Sequence, residues 1–214
     1  MSDLHLEVGQ QYANFHITPR ATRLILAGDI GRLADYEAFR DFLQLQCEKF
    51  ALVYLVLGNH EFFGVSRQGG LRLAAMLQQE PGLSDKLIVM NWKMESGLKW
   101  KIIVISHHAP STKGTKSSDE GNPWSSAFGT DLLGQKERSH LYDVQLWIFG
   151  HTHHSAELLR GQVKLVSNQR GYVVPNGGKN GPEISGSLPS KVLKLWGYTR
   201  RKQGAFDVQK IIEV

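Results

Sequence analysis

The chain has 214 residues, 41% of them apolar and 21% charged, with a formal net charge of +5 at pH 7. That composition describes one globular domain with enough interior for a sizeable core, and no apolar run is long enough to span a bilayer. A single cysteine, Cys47, excludes an intramolecular disulfide framework, and no basic-then-apolar leader opens the chain. A cytoplasmic protein is the simplest expectation.

Arg23–Ala27 reads as a buried strand that ends at Gly28-Asp29. Tyr36, Phe39, Leu43, Cys47 and Phe50 then recur at three- and four-residue spacing, which predicts an amphipathic helix with Asp35 as its N-cap and Cys47 as a buried small hydrophobe. Residues 51–57 form a second apolar strand, which stops at Gly58. A helix over 68–79 follows, closed by Pro81-Gly82. Further strands are expected at 87–91, 99–106 and Val144–Phe149, the last two delivering His107 and His151. Strand–helix alternation predicts an α/β fold with a largely parallel core. The β-type runs at 164–167, 172–174 and 206–214 predict a second sheet, antiparallel and packed on the first.

Two stretches break this rhythm. Residues 111–129 are polar and read as a loop flanking a site, while 176–190 hold four Gly and two Pro and read, with 191–202, as an insertion. The basic run Arg200-Arg201-Lys202, beside Trp196 and Tyr198, reads as a solvated turn more readily than as a nucleic-acid contact. No repeat and no interdomain linker is evident, so 1–214 is taken as a single domain.

The chemistry lies in five short motifs at strand ends: Asp3-x-His5, Gly28-Asp29, Gly58-Asn59-His60-Glu61, His107-His108-Ala109-Pro110 and Gly150-His151-x-His153. Asp3 and His5, and again His151 and His153, are two apart and share a side if their segments are extended. Carboxylates, an amide oxygen and imidazoles suit Mn, Fe, Zn or Co better than thiolate-loving metals. A shared carboxylate is the usual device for holding two ions about 3.5–4 Å apart, and Asp29, central in the order, is the candidate bridge.

These motifs, in this order over residues 3 to 153, resemble those of the calcineurin-like metallophosphoesterases. Ser167-Asn168-x-Arg170-Gly171-Tyr172 resembles a late segment of small bacterial members. The resemblance implies a four-layer αββα sandwich of two mixed sheets flanked by helices, with a dinuclear centre on one edge. It implies that Asp3, His5, Asp29 and His153 hold one ion, and Asp29, Asn59, His107 and His151 the other. His60 would be the catalytic histidine that does not bind metal. The implied reaction is hydrolysis of a phosphodiester or phosphomonoester by a metal-activated water, on a phosphorylated small molecule or nucleotide. A nuclease, or a non-catalytic protein-binding scaffold of the same fold, is the alternative.

Other residues carry weaker signals. His108 competes with His107, which is preferred; His154 reads as a neighbour of the ligands, and His16 and His140 as structural. Glu61 either orients His60 or its backbone, or is a surface carboxylate. Arg170 either meets substrate phosphate or makes a structural contact. Trp124 and Phe128 either line the cleft or anchor their loop. The resemblance also places Asp3 at the end of an N-terminal strand, yet only two residues precede it here. A truncated first strand and a loosely held Asp3 are therefore expected.

Overall fold

In a computed structural model the protein is described at residues 1–90, 102–115, 125–133, 143–174 and 205–213. The element order begins β1 (Arg23–Ala27), α1 (Tyr36–Lys49), β2 (Leu52–Val56), α2 (Arg67–Leu77) and β3 (Leu87–Met90). These three strands form a wholly parallel sheet in the order β1-β2-β3, with α1 and α2 as the crossovers that parallel pairing demands. There follow β4 (Ile102–Ile105), the four-residue α3 (Ser125–Phe128), β5 (Val144–Phe149), β6 (Glu157–Arg160) and β7 (Val163–Ser167). They make a second sheet in the order β4-β5-β7-β6.

Strand alternation builds the layers. Leu24 and Leu26 of β1 face a core shared with Phe39, Phe42 and Leu43 of α1 and with Ala74 and Leu77 of α2. Ile25 and Ala27, on the other face of β1, meet Leu146 and Ile148 of β5 and Val166 of β7. Trp147 and Phe149 of β5 point away into a third cluster with Val163 and Leu165. Helices, first sheet and second sheet thus stack as layers. Of the expected helical cover on the far side, the described residues contain only α3 as a further α-helix.

Several expectations are corrected. The first sheet is purely parallel rather than mixed, and in the second only β6 runs antiparallel, on β7. β6 is short, with charged residues at both ends, so it carries little strand signal. It exists because Gly161, at φ 61°, opens a tight two-residue turn into β7. Residues 172–174 and 206–213 are not strands: Gly171 turns the chain at φ 70°, and Phe206 packs on Phe15 from a loop. Asp35 stands at the N-cap of α1 but makes no cap hydrogen bond, because its carboxylate accepts instead from Arg32 and the Tyr12 hydroxyl. The working cap is Ser66 on α2, which accepts from Gly69 N.

Asp3 is not loose. It is fully buried, and its segment is laced on both sides. Ala27 N donates to Met1 O and Asp3 N to Gly28 O, while Ser2 pairs with the chain after β7 through Asn168 O and Arg170 N. This segment therefore joins the end of β1 to the end of β7. No described helix is long and apolar enough to cross a membrane. Trp124, His140 and all of 176–202, including the basic run, lie outside the described residues.

Candidate metal centre

The motif residues converge at the carboxyl ends of β1, β2, β4 and β5, where open α/β sheets build their sites. Among the described residues six non-glycine residues have positive φ, and five are predicted ligands: Asp3 (53°), His5 (48°), Asp29 (55°), His151 (70°) and His153 (47°). Contrary to the expectation from sequence, the two-residue spacing therefore does not act through extended backbone. Whereas Asn59 keeps φ −80°, left-handed residues bend the chain at Asp3, His5, Asp29, His151 and His153. Such conformations cost on the order of 1–2 kcal/mol each and persist where the surroundings, and function, over-determine them.

Three overlapping groups of donor atoms result: Asp3, His5 and His153; His5, Asp29 and His60; and Asp29, His107 and His151. His5 Nε2 lies 3.0 Å from His153 Nε2, and His153 Nε2 lies 3.5 Å from Asp3 Oδ1. In the other group His107 Nε2 is 3.1 Å from His151 Nδ1, 3.3 Å from Asp29 Oδ2 and 3.2 Å from Asn59 Oδ1. Ligand atoms each about 2.0–2.2 Å from one ion lie about 3.0–3.5 Å from one another, so these separations fit metal coordination. The outward nitrogens fit as well. His107 Nδ1 reaches Ala27 O at 3.1 Å and His151 Nε2 reaches Ala127 O at 3.2 Å, contacts to carbonyl oxygens that place a proton on each outward nitrogen.

Residues 1–155 match the family model described as calcineurin-like phosphoesterase. The chain belongs to the calcineurin-like phosphoesterase family. A comparison with curated proteins finds no match. Among solved structures, the crystal structure of phosphopantetheinyl hydrolase (PptH) from Mycobacterium tuberculosis is similar in fold. Its TM-score is 0.58 at 15% identity, over 80% of this chain and 88% of that one.

The electrostatics of this phosphoesterase site suit cations. Burial, with His107 and His108 nearby, pushes His151 down to about 3, and burial beside His5 holds His153 well below the usual imidazole range. Both therefore present lone pairs at neutral pH. Burial also opposes protonation of His107, yet the Asp29 and Asp3 charges push it up to about 10. Burial raises Asp3, while Asp29, against its burial, is held low by His107 and His60. Protons are thus crowded onto His107 to balance carboxylates, a role that bound cations take over.

Glycines make room for this packing. A Cβ on Gly58 would collide with the Asp29 carboxylate, and one on Gly150 would lie 2.8 Å from Asp3 Oδ2 and 2.9 Å from Ala27 O. Asp3 cannot yield freely, because its carboxylate accepts from His151 N at 3.0 Å. Gly150→Ala is expected to lower stability by about 1–3 kcal/mol and to weaken metal retention, as read by thermal melting and metal analysis. An unchanged melt and full metal content would contradict this account of Gly150.

The remaining candidates sort clearly. His108 is exposed, its ring 4.3 Å from that of His151, and it joins none of the donor groups among the described residues. Phe128 lies 5.5 Å from the His151 ring, beside the cleft. His16 is exposed, and His154 is outside the donor groups. Arg170 makes a structural contact: its guanidinium donates to Leu4 O and Gln11 Oε1 and covers the Phe15 ring.

Glu61 is neither a surface group nor the partner of His60. It is fully buried and accepts from Gly58 N, Asp29 N and Ile30 N, which staples the two motif turns together. The carboxylate on His60 is Glu7, held down to about 2 by His5 and His60 although burial opposes this. Sequence reading missed Glu7 and Tyr172. Glu7 offered only its two-residue spacing from His5, and Tyr172 had no signal beyond the late-segment resemblance.

Proposed function

We propose that this chain is a dinuclear metal-dependent phosphoesterase that hydrolyses phosphodiesters or phosphomonoesters of small molecules or nucleotides. The observation that carries the reading is the place of Asp29, shared between the donor group that also holds His5 and His60 and the one that also holds His107 and His151. Asp3, His5, Asp29 and His153 would hold one ion, and Asp29, Asn59, His107 and His151 the other, with Mn, Fe or Zn suited to the donors. Two such ions supply Lewis acidity toward phosphoryl oxygens and make water nucleophilic near neutral pH.

The chain's own residues do the rest. Asp29 Oδ1 accepts from His60 N at 2.8 Å, which ties the non-ligand histidine to the bridging carboxylate. Burial disfavours the His60 imidazolium, but Glu7 and Asp29 outweigh it and raise its proton affinity. His60 Nε2 can therefore deliver a proton to the leaving-group oxygen as the P–O bond breaks. The presence of His60 and of every ligand candidate favours an enzyme over a scaffold, and the single cysteine favours a cytoplasmic setting.

The test is turnover of bis(p-nitrophenyl) phosphate and p-nitrophenyl phosphate with Mn and with chelator. Chelation is expected to abolish turnover and lower the melting temperature, both restored by Mn, because a ligand bound only by the folded state stabilises it. Turnover that survives complete metal removal would refute the reading.

A further inference from the structure

The His60 ring has a partner outside the ligand set at each nitrogen, and Nε2 also lies 4.0 Å from Asp29 Oδ2. Nδ1 lies 2.8 Å from Glu7 Oε1, and Nε2 lies 2.9 Å from the Tyr172 hydroxyl. A carboxylate can only accept, so Nδ1 carries a proton and Nε2 is left as the working nitrogen. The Glu7 side chain is 6% exposed, and the same Oε1 lies 3.5 Å from Nδ1 of His5. Phe63 packs against the His60 ring with centroids 4.2 Å apart.

Tyr172 lies beyond the stretch that matches the family model. Its ring stacks on His5 at 4.1 Å and 23° and meets His153 edge-on at 4.9 Å. Arg170, bonded to Leu4 O and Gln11 Oε1, and the turn at Gly171 deliver it there. Its oxygen stands within hydrogen-bond reach of Nε2, where a general acid must find the oxygen it protonates.

We propose that Glu7 and Tyr172 are positioning residues for His60. Glu7 orients the ring through Nδ1, and the Tyr172 hydroxyl fixes the direction of Nε2 until the leaving-group oxygen takes the hydroxyl's place. This deepens the phosphoesterase reading and rests on it. Without the clamp the ring turns away from the leaving oxygen. The loss should then grow with the leaving group's need for a proton, small for p-nitrophenolate and large for the more basic phenolate.

The experiment compares bis(p-nitrophenyl) phosphate with diphenyl phosphate on the Mn-loaded protein. On diphenyl phosphate, Glu7→Gln is expected to cut kcat about 100-fold and Tyr172→Phe about 5-fold, against a few-fold or less on the nitrophenyl ester. Metal content should stay at the parent level. In a His60→Asn background neither substitution should cost anything further, because residues acting through one group are non-additive. Equal losses on both substrates, losses that persist with His60→Asn, or a fall in bound metal would overturn the proposal.

A second readout needs no metal. In chelator-treated protein the His60 Nδ1 proton should appear as a protected downfield NMR resonance that Glu7→Gln abolishes, and Tyr172→Phe should shift the Nε2 nitrogen signal. Their absence overturns the clamp. A parent protein inactive on both esters fails the phosphoesterase reading instead, and the resonances then decide the clamp by themselves.

Discussion

Asp29→Asn is expected to lower bound metal from two ions to fewer than one per chain and to reduce phosphodiester turnover about 1000-fold or more. The substitution keeps size and shape, and Asn tolerates the left-handed φ of 55° found there. His60 N can still donate to the remaining side-chain oxygen, so the local backbone need not move. What disappears is the negative charge between the two donor groups, beside His107 Nε2 at 3.3 Å. Both ions would lose a ligand at once. Metal catalysis supplies several kcal/mol of charge stabilisation, and each 1.36 kcal/mol is a factor of ten, which sets the magnitude. Metal analysis and steady-state kinetics on the same preparation check it. Two retained ions with turnover within tenfold of the parent would show that Asp29 is not the bridge.

Glu61→Gln should lower the melting temperature by about 6–12 °C, an effect on stability rather than on chemistry. The parent carboxylate accepts from Gly58 N at 2.6 Å, Ile30 N at 2.7 Å and Asp29 N at 3.0 Å. Burial and the Asp29 charge push Glu61 up to about 7, and the amides pull against that shift. A Gln side chain keeps one acceptor oxygen and turns an NH2 group toward a backbone N–H. That leaves at least one buried donor unsatisfied, worth about 3 kcal/mol where a charged acceptor is lost. For a chain of this size about 2–4 °C accompanies each kcal/mol. The melt is best followed by circular dichroism in chelator, where metal binding cannot mask the change. A shift under about 2 °C would mean that the staple contributes little.

Most of the first sheet was legible in the sequence, because its strands and helices have clean periodicity and stop at Gly28 and Gly58. Arg23–Ala27 and Val144–Phe149 carry the predicted bounds. β6 was not legible, since four residues with charged ends are held by β7 rather than by their own pattern. The runs at 172–174 and 206–213 are apolar because they cover other parts of the core and site, and nothing local separates that from strand pairing. Asp3 read as exposed to fraying because its partners, Gly28 and the chain near Asn168, are distant in sequence.

The amino-acid sequence by itself determined the kinds of donor, their order and their delivery at strand ends, since apolar runs and glycines mark those ends locally. Only the tertiary structure decided which donors meet. His5 and His153 touch across 148 residues, and Glu7 rather than the adjacent Glu61 reaches His60. Periodicity specifies an element and its buried face, but packing of the two sheets sets the distances between strand ends. Left-handed residues, invisible in composition, then bend the chain at Asp3, His5, Asp29, His151 and His153.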